Sequence, residues 1–385
     1  MLVIPVAAQG AKAPSTYDPD FQTFALADGD RAGTVLSDGS LALVSGQTSG
    51  TWTGPWRTTR SPFAQAVASW IADTPAGTWV QVELRARAAD GHFTKWYVLG
   101  QWAYDDASFH RTSVGLQGDA DGTVAIDTFV AAKDPMTAYQ LRLTLNRPTA
   151  GTPTPTVARI SAIASDPSKH LKTTSAKTLT ERVELDVPEY SQEIHKGDYP
   201  EFDNGGEAWC SPTSTSMVVA YWKRGPTTDE YAYVLDDHPG HEDAWVDYAA
   251  RFTYDYHYQG AGNWPFNVAY AGHFELTGAV TQLRSLAEAE QFVKAGIPLV
   301  ASIAFNSGKL DGFPFKSTNG HLVVISGFEA NGDPIVNDPA APTDDQVRRT
   351  YDRAQFETAW QDATGGIVYL IYPPGHTLPT SLGNW

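Results

Sequence analysis

The only cysteine of the chain, Cys210, sits in the run Gly205-Gly206-Glu207-Ala208-Trp209-Cys210-Ser211-Pro212-Thr213. One thiol in 385 residues can neither close an internal disulfide nor build a thiolate metal cluster. It is an inert core residue, an intermolecular linker or a nucleophile, and its neighbours favour the nucleophile. Ser211-Pro212 reads as a capping hydroxyl followed by a proline at the first helical position. The residues from Thr213 to Trp222 can then run as a helix that stops at Lys223-Arg224-Gly225-Pro226. A thiol at such a start lies beside unpaired backbone N–H groups and the positive end of the helix dipole. Both favour the thiolate, which is the reactive form.

A thiol nucleophile needs a base within hydrogen-bond reach, and the base needs an orienting group. The second half of the chain offers His238, His241, His257, His273, His321 and His376. His321 stands out because it opens the apolar run His321-Leu-Val-Val-Ile-Ser-Gly-Phe328 directly after Asn319-Gly320, which puts a polar ring at the edge of a sheet. The bland reading is a strand-end residue with no role. The following strand ends in Asn337-Asp338-Pro339 and offers two orienters. In an antiparallel hairpin an even loop puts Asp338 on the His321 face, and an odd loop puts Asn337 there. A strict two-residue turn at Asn331-Gly332 would leave Asp338 opposite Ile325, roughly 13 Å along the strand from His321. A turn centred nearer Glu329-Ala330, or a bulge, is needed to bring Asp338 within reach, and Asp338 is preferred to Asn337.

Taken together, Gln192 in Val187-Pro-Glu-Tyr-Ser-Gln192, the run Trp209 to Thr213, Gly320-His321-Leu-Val-Val-Ile-Ser-Gly327 and Val336-Asn-Asp338-Pro339 resemble the C39-like branch of papain-type cysteine peptidases. The resemblance spans roughly residues 182–373 and keeps the order glutamine, cysteine, histidine, acid. It implies that Cys210 attacks, His321 shuttles the proton, Asp338 orients the imidazole and Gln192 donates to the oxyanion. It also implies substrate contacts at Trp209, Ser211 and Gly320, with no metal and no cofactor. Ser211 departs from the pattern, because glycine commonly follows the nucleophile in that family.

The elements that must position these groups follow from composition and period. Hydrophobic content of 42% against 18% charged describes a folded chain with ample core, and its length suggests two domains. A net charge of −17 argues against nucleic acid or an anionic membrane as partner. No run approaches the roughly 20 apolar residues of a membrane helix. Residues 1–17 read as a signal-peptide remnant or disordered N-terminus, so the protein is expected to be secreted or associated with the cell envelope.

Residues 18–165 read as an all-β sandwich, jelly-roll-like, from the strands Thr78–Arg87, Lys95–Leu99, Thr123–Val130, Tyr139–Leu145 and Val157–Ile163. More loosely, this part resembles accessory sandwiches of exported hydrolases. Trp70, Trp79, Trp96, Tyr97 and Trp102 either fill its core, the favoured reading, or form a platform for a carbohydrate or cell-surface ligand. Residues 166–181 are polar, lack a hydrophobic period and read as a linker.

Residues 182–385 read as an α+β domain, and the resemblance implies the papain-like cysteine peptidase fold. Its signals are a capping box at Ser285-Leu-Ala-Glu288 and strands at 298–305, 321–328, 334–337 and 366–372. The aromatic stretch Tyr254 to Phe266 is a candidate wall of a cleft. His238 and His241 with Asp236, Asp237, Glu242 and Asp243 are taken as a solvated loop, not a metal site.

The function expected from these features is an exported cysteine hydrolase, first of all a peptidase acting on peptide or protein. An amidase or acyltransferase acting on cell-wall or other amides is the second reading. A binding or adhesion protein with a degenerate second domain is the third.

Overall fold

Val80, Val82, Leu84 and Ala86 alternate with other residues along the strand Trp79–Ala88, and all four are fully buried. A period of two turns one row of side chains toward a common core. The protein is described by a computed structural model over residues 17–385, so the stretch 1–16 lies outside the described residues.

Up to residue 165 the described chain forms two antiparallel sheets. One runs in the order Gly122–Ala125, Thr128–Ala131, Gln65–Asp73, Thr156–Ser165, Ser40–Leu43, Thr34–Ser37, with Asp20–Thr23 also paired to Thr156–Ser165. The other runs Asp30–Ala32, Ser49–Thr53, Met136–Asn146, Trp79–Ala88, Tyr97–Trp102, with Arg57–Phe63 on Met136–Asn146. The stretch 123–130, expected as one strand, is a tight hairpin in which Ala125 pairs with Thr128 and Ile126 takes a φ of 62°. A β-branched residue is strained in that region, so tertiary contacts must hold the turn. They do so at the next residue, where the Asp127 carboxylate accepts the Trp264 backbone N–H at 2.8 Å.

The later region carries a third antiparallel sheet in the order Thr277–Gln282, Ile367–Tyr372, Leu299–Phe305, Thr318–Phe328, Pro334–Asn337, Arg348–Thr350. Both of its faces are covered. Val300, Leu322, Val324 and Tyr369 join the cluster of the helices Cys210–Tyr221 and Trp264–His273. Leu299, Val323, Ile325 and Leu370 join that of the helices Leu286–Lys294 and Arg353–Thr364. Continuous apolar runs with both faces buried are what such strands require.

The first of these clusters does not stop at the boundary between the regions. It contains Leu84 and Leu143 of the two-sheet region together with Phe266, Tyr270 and Leu322 of the later one. Trp70 and Trp102 close on Phe266 with ring centroids 6.1 and 5.4 Å away. Each large apolar side chain buried there contributes roughly 1.5–3 kcal/mol. Arg111, fully buried, crosses the same seam and donates to the carbonyls of Ala103, Tyr104 and Arg251. Residues 166–181 run along the later region and are tied to it, with Ser175 N–H on Glu357 and Thr178 N–H on Glu290. The five aromatics do not share an exposed platform. Trp70, Tyr97 and Trp102 are buried, Trp79 stacks on Phe109, and Arg85 and Arg142 lie over Trp96.

Candidate active site

Cys210 opens the helix Cys210–Tyr221 as its first residue, two positions earlier than the Ser-Pro signal suggests. Trp209 is the residue before the helix, and no side chain caps it. The Ser211 hydroxyl is instead buried against the Tyr369 hydroxyl at 2.8 Å, so its capping role is replaced by a bond to the sheet. Tertiary pairing outcompetes the local cap, because a buried hydroxyl left unbonded costs about 1–3 kcal/mol. The Cys210 backbone N–H has no partner within the helix, as for any first-turn N–H.

His321 begins the buried part of the strand Thr318–Phe328. Its Nε2 is 2.8 Å from Asp338 Oδ1, and Cys210 lines the same cleft, close enough to raise the ring further. With Nε2 engaged by Asp338, Nδ1 is the ring nitrogen left to meet a thiol. Asp338 is fully buried and accepts two further bonds, from the Tyr351 hydroxyl at 2.6 Å and the Ala340 N–H at 3.0 Å. Burial pulls the His321 imidazole down, but the charge and bond of Asp338 together with Cys210 outweigh it and raise the ring to about 10. Burial pushes Asp338 up, and the His321 charge and bond outweigh that, holding the carboxyl below its usual range.

The register that allows this contact combines two departures from the strict turn. The loop spans Glu329 to Asp333, with Phe328 paired to Pro334. Such an odd loop alone would put Asn337 on the His321 face. A bulge at Ser326 then shifts the pairing once more, so that Val324 meets Asn337. One step further on, Asp338 stands opposite Val323, a diagonal neighbour of His321 at about 7 Å, which the two side chains span. Asn337 points to the other side and donates to the Val187 and Pro188 carbonyls.

Gln192 is buried at the start of the short turn Glu193–His195, and its backbone N–H is fixed on the Pro339 carbonyl. Its side-chain nitrogen donates to the Glu207 carbonyl at 2.7 Å and, more weakly at 3.5 Å, to Glu193 Oε1, and its side-chain oxygen has no partner. Gly206 makes this approach feasible, because a Cβ there would stand 2.3 Å from the Gln192 carbonyl oxygen. Cys210, Gln192, His321 and Gly320 all line one cleft of about 680 Å³. The opposite wall comes from the two-sheet region, through Gln65, Val67, Ile126, Asp127, Val130 and Ile163.

Residues 23–165 match the model of the Peptidase C39 N-terminal domain, and residues 184–368 match that of the Peptidase_C39 like family. The stretch 184–368 belongs to the C39-like family. No curated protein matches it. Among solved structures, that of infectious bursal disease virus Gt strain is 14% identical over 42% of this chain and 36% of its own, at a TM-score of 0.23. The chain thus spans about a third of that protein's length. The accessory secretory protein 1, 2 and 3 structure from Streptococcus pneumoniae is also 14% identical, over 37% of this chain and 95% of its own, at a TM-score of 0.23. A xylan-binding module is 11% identical over 38% and 97%, again at 0.23. Likeness this low transfers neither fold nor ligand.

The remaining candidate residues are placed as follows. Trp209 is fully buried with its indole N–H on the Phe202 carbonyl, Ser211 is buried on Tyr369, and Gly320 is exposed at the cleft. Tyr258, Gly262 and Trp264 of the aromatic stretch also line the cleft. Sequence reasoning missed Tyr351, Asp127 and His195. Asp127 is buried, and burial pushes its carboxyl up to about 7 despite the Trp264 N–H. Its signal was an acid inside an apolar run, at a position that makes a turn.

Proposed function

We propose that this protein is an exported cysteine peptidase that cleaves amide bonds through a thioester acyl-enzyme. In this reading, residues from about 182 onward form a papain-like unit. The preceding sandwich acts as a wall of the cleft, where it helps hold an extended peptide. The carrying observation is the buried His321–Asp338 pair, with Cys210 and His321 lining one cleft.

The chemistry follows from the roles these groups can take. His321 takes the Cys210 proton, and the thiolate adds to the substrate carbonyl carbon. The oxyanion then accepts the Cys210 backbone N–H and the Gln192 amide hydrogen that it takes over from the weak 3.5 Å contact with Glu193 Oε1. Collapse expels the amine, which takes its proton from His321, and leaves a thioester. Water, losing a proton to His321, attacks the thioester, and the acid and free thiol are released. Asp338 holds the ring and compensates its charge throughout.

The reading is tested with a peptide library, a set of muropeptides and iodoacetamide. Peptide turnover that falls by roughly 10³-fold or more in Cys210→Ala is expected, with rapid alkylation of the wild-type thiol at mildly acidic pH. Turnover of muropeptides alone would replace the peptidase with an amidase. A thiol no more reactive than free cysteine, together with no turnover, would leave a binding protein.

A further inference from the structure

We propose that His195, Asp198, His241 and Asp247 hold a zinc ion that braces the turn carrying Gln192. Among the described residues, these four side chains can each offer one ligand atom, and those atoms lie within 4.8 Å of one another. They come from three places in the chain: the turn Glu193–His195 and its continuation, the segment before the helix Ala244–Thr253, and that helix itself. His195 Nδ1 is 2.9 Å from both His241 Nε2 and Asp247 Oδ2. His241 Nε2 is 3.1 Å from Asp247 Oδ2 and 3.3 Å from Asp198 Oδ2.

Protons serve this arrangement poorly. Two ring nitrogens and one carboxylate oxygen form a triangle with sides of 2.9, 2.9 and 3.1 Å. If both rings donate to the carboxylate, two N–H groups face each other. If one ring donates to the other, a carboxylate contact goes without a hydrogen. Either way Asp247 Oδ1 and His195 Nε2 remain without partners, on side chains with no solvent exposure. A cation inside the cluster satisfies every inward atom at once. Tetrahedral zinc with bonds of about 2.0–2.1 Å sets its ligand atoms about 3.3 Å apart, close to the spacings found.

The donor set selects the ion. Calcium and magnesium call for about six or more oxygens, whereas two imidazoles and two carboxylates suit zinc and balance its charge. None of the four residues lines the cleft, so the ion would be structural. It would join the turn on which Gln192 sits to the helix Ala244–Thr253. His195 bonds back to the Gln192 carbonyl, and its ring lies 6.1 Å from that of Trp209, the neighbour of Cys210. The zinc site would therefore fix the spacing between the two ends of the thiol loop.

The test uses the full chain carrying Cys210→Ala, which removes the thiol as a competing zinc ligand. The protein is stripped with a chelator and titrated with zinc chloride. Metal content, calorimetry and the visible spectrum of the cobalt-substituted form are read. One equivalent per chain, a tetrahedral cobalt spectrum and a Tm that rises with zinc are expected. His241→Ala and Asp198→Asn, both at partly exposed ligands, should each weaken binding at least about tenfold while circular dichroism stays native. Absence of stoichiometric zinc, equal affinity in folded His241→Ala, or uptake of calcium in preference to zinc would overturn the proposal.

Discussion

Replacing Asp338 with asparagine isolates the charge of the buried pair from its shape. The Asp338 carboxylate accepts three bonds, from His321 at 2.8 Å, Tyr351 at 2.6 Å and Ala340 at 3.0 Å. An asparagine can keep its oxygen on His321 and Ala340 and turn its N–H toward the Tyr351 oxygen, which then accepts. Geometry survives and one charge-assisted bond becomes neutral, a loss of about 1–1.5 kcal/mol. In kcat/KM the same loss is roughly 5- to 12-fold.

The pH profile carries the sharper signature. His321 is raised to about 10 because the Asp338 charge and bond, joined by Cys210, overcome burial, so the wild-type alkaline limb should lie near that value. Without the charge, burial prevails and the limb should fall to 6.5 or below. Linkage has a sign for each partner. The raised His321 contributes stability that is whole below about pH 6.5 and fades as pH rises through about 10. The lowered Asp338 contributes stability above about pH 4 that fades as pH falls through its folded value. The variant should therefore be most destabilised near pH 5–6, measured by urea midpoint. Alkylation rates of Cys210 against pH, with kcat/KM on the best peptide, give the kinetic profile. An alkaline limb that stays near 10 in Asp338→Asn would refute the assignment of the charge.

Two further substitutions test neighbouring parts of the cleft. Gln192→Ala should lower kcat by roughly 10²–10³-fold with little change in KM, whereas a purely structural glutamine would change both or neither. Asp127→Asn should stabilise the protein more at pH 8 than at pH 4. Burial raises this carboxyl to about 7, so folding favours its protonated form, and that advantage is lost as pH rises from about 4 through 7. Equal effects at the two pH values would show that Asp127 does not titrate there.

Local signals carried far in some places and stopped short in others. The strand period of Trp79–Ala88 and the apolar run after His321 were readable because burial on one or both faces imposes its own spacing. Glu288 was expected to close a capping box with Ser285. Its carboxylate accepts instead from the Arg284 N–H and guanidinium, and Ser285 makes no side-chain cap bond. The final helix, by contrast, runs from Arg353 to Thr364 behind a true side-chain cap, the Asp352 carboxylate accepting the Gln355 N–H. Caps and turns rest on single bonds worth about 1 kcal/mol, and any tertiary partner of similar strength can redirect them.

By itself the sequence determined the chemistry on offer: one thiol, a histidine at a strand edge, a glutamine upstream and an acid or amide downstream. It also determined that sheet-rich and mixed regions follow one another, since period and turn residues are local properties. Only the tertiary structure decided which of Asn337 and Asp338 meets His321. That choice lies in a five-residue loop plus a bulge at Ser326, and a shift of one residue flips every side chain to the other face. Only the tertiary structure, likewise, put the two-sheet region in the wall of the cleft and drew His195 to His241 and Asp247. Contacts between residues tens to hundreds of positions apart leave no period behind them, because what sets them is the packing of whole elements rather than the preference of any one segment.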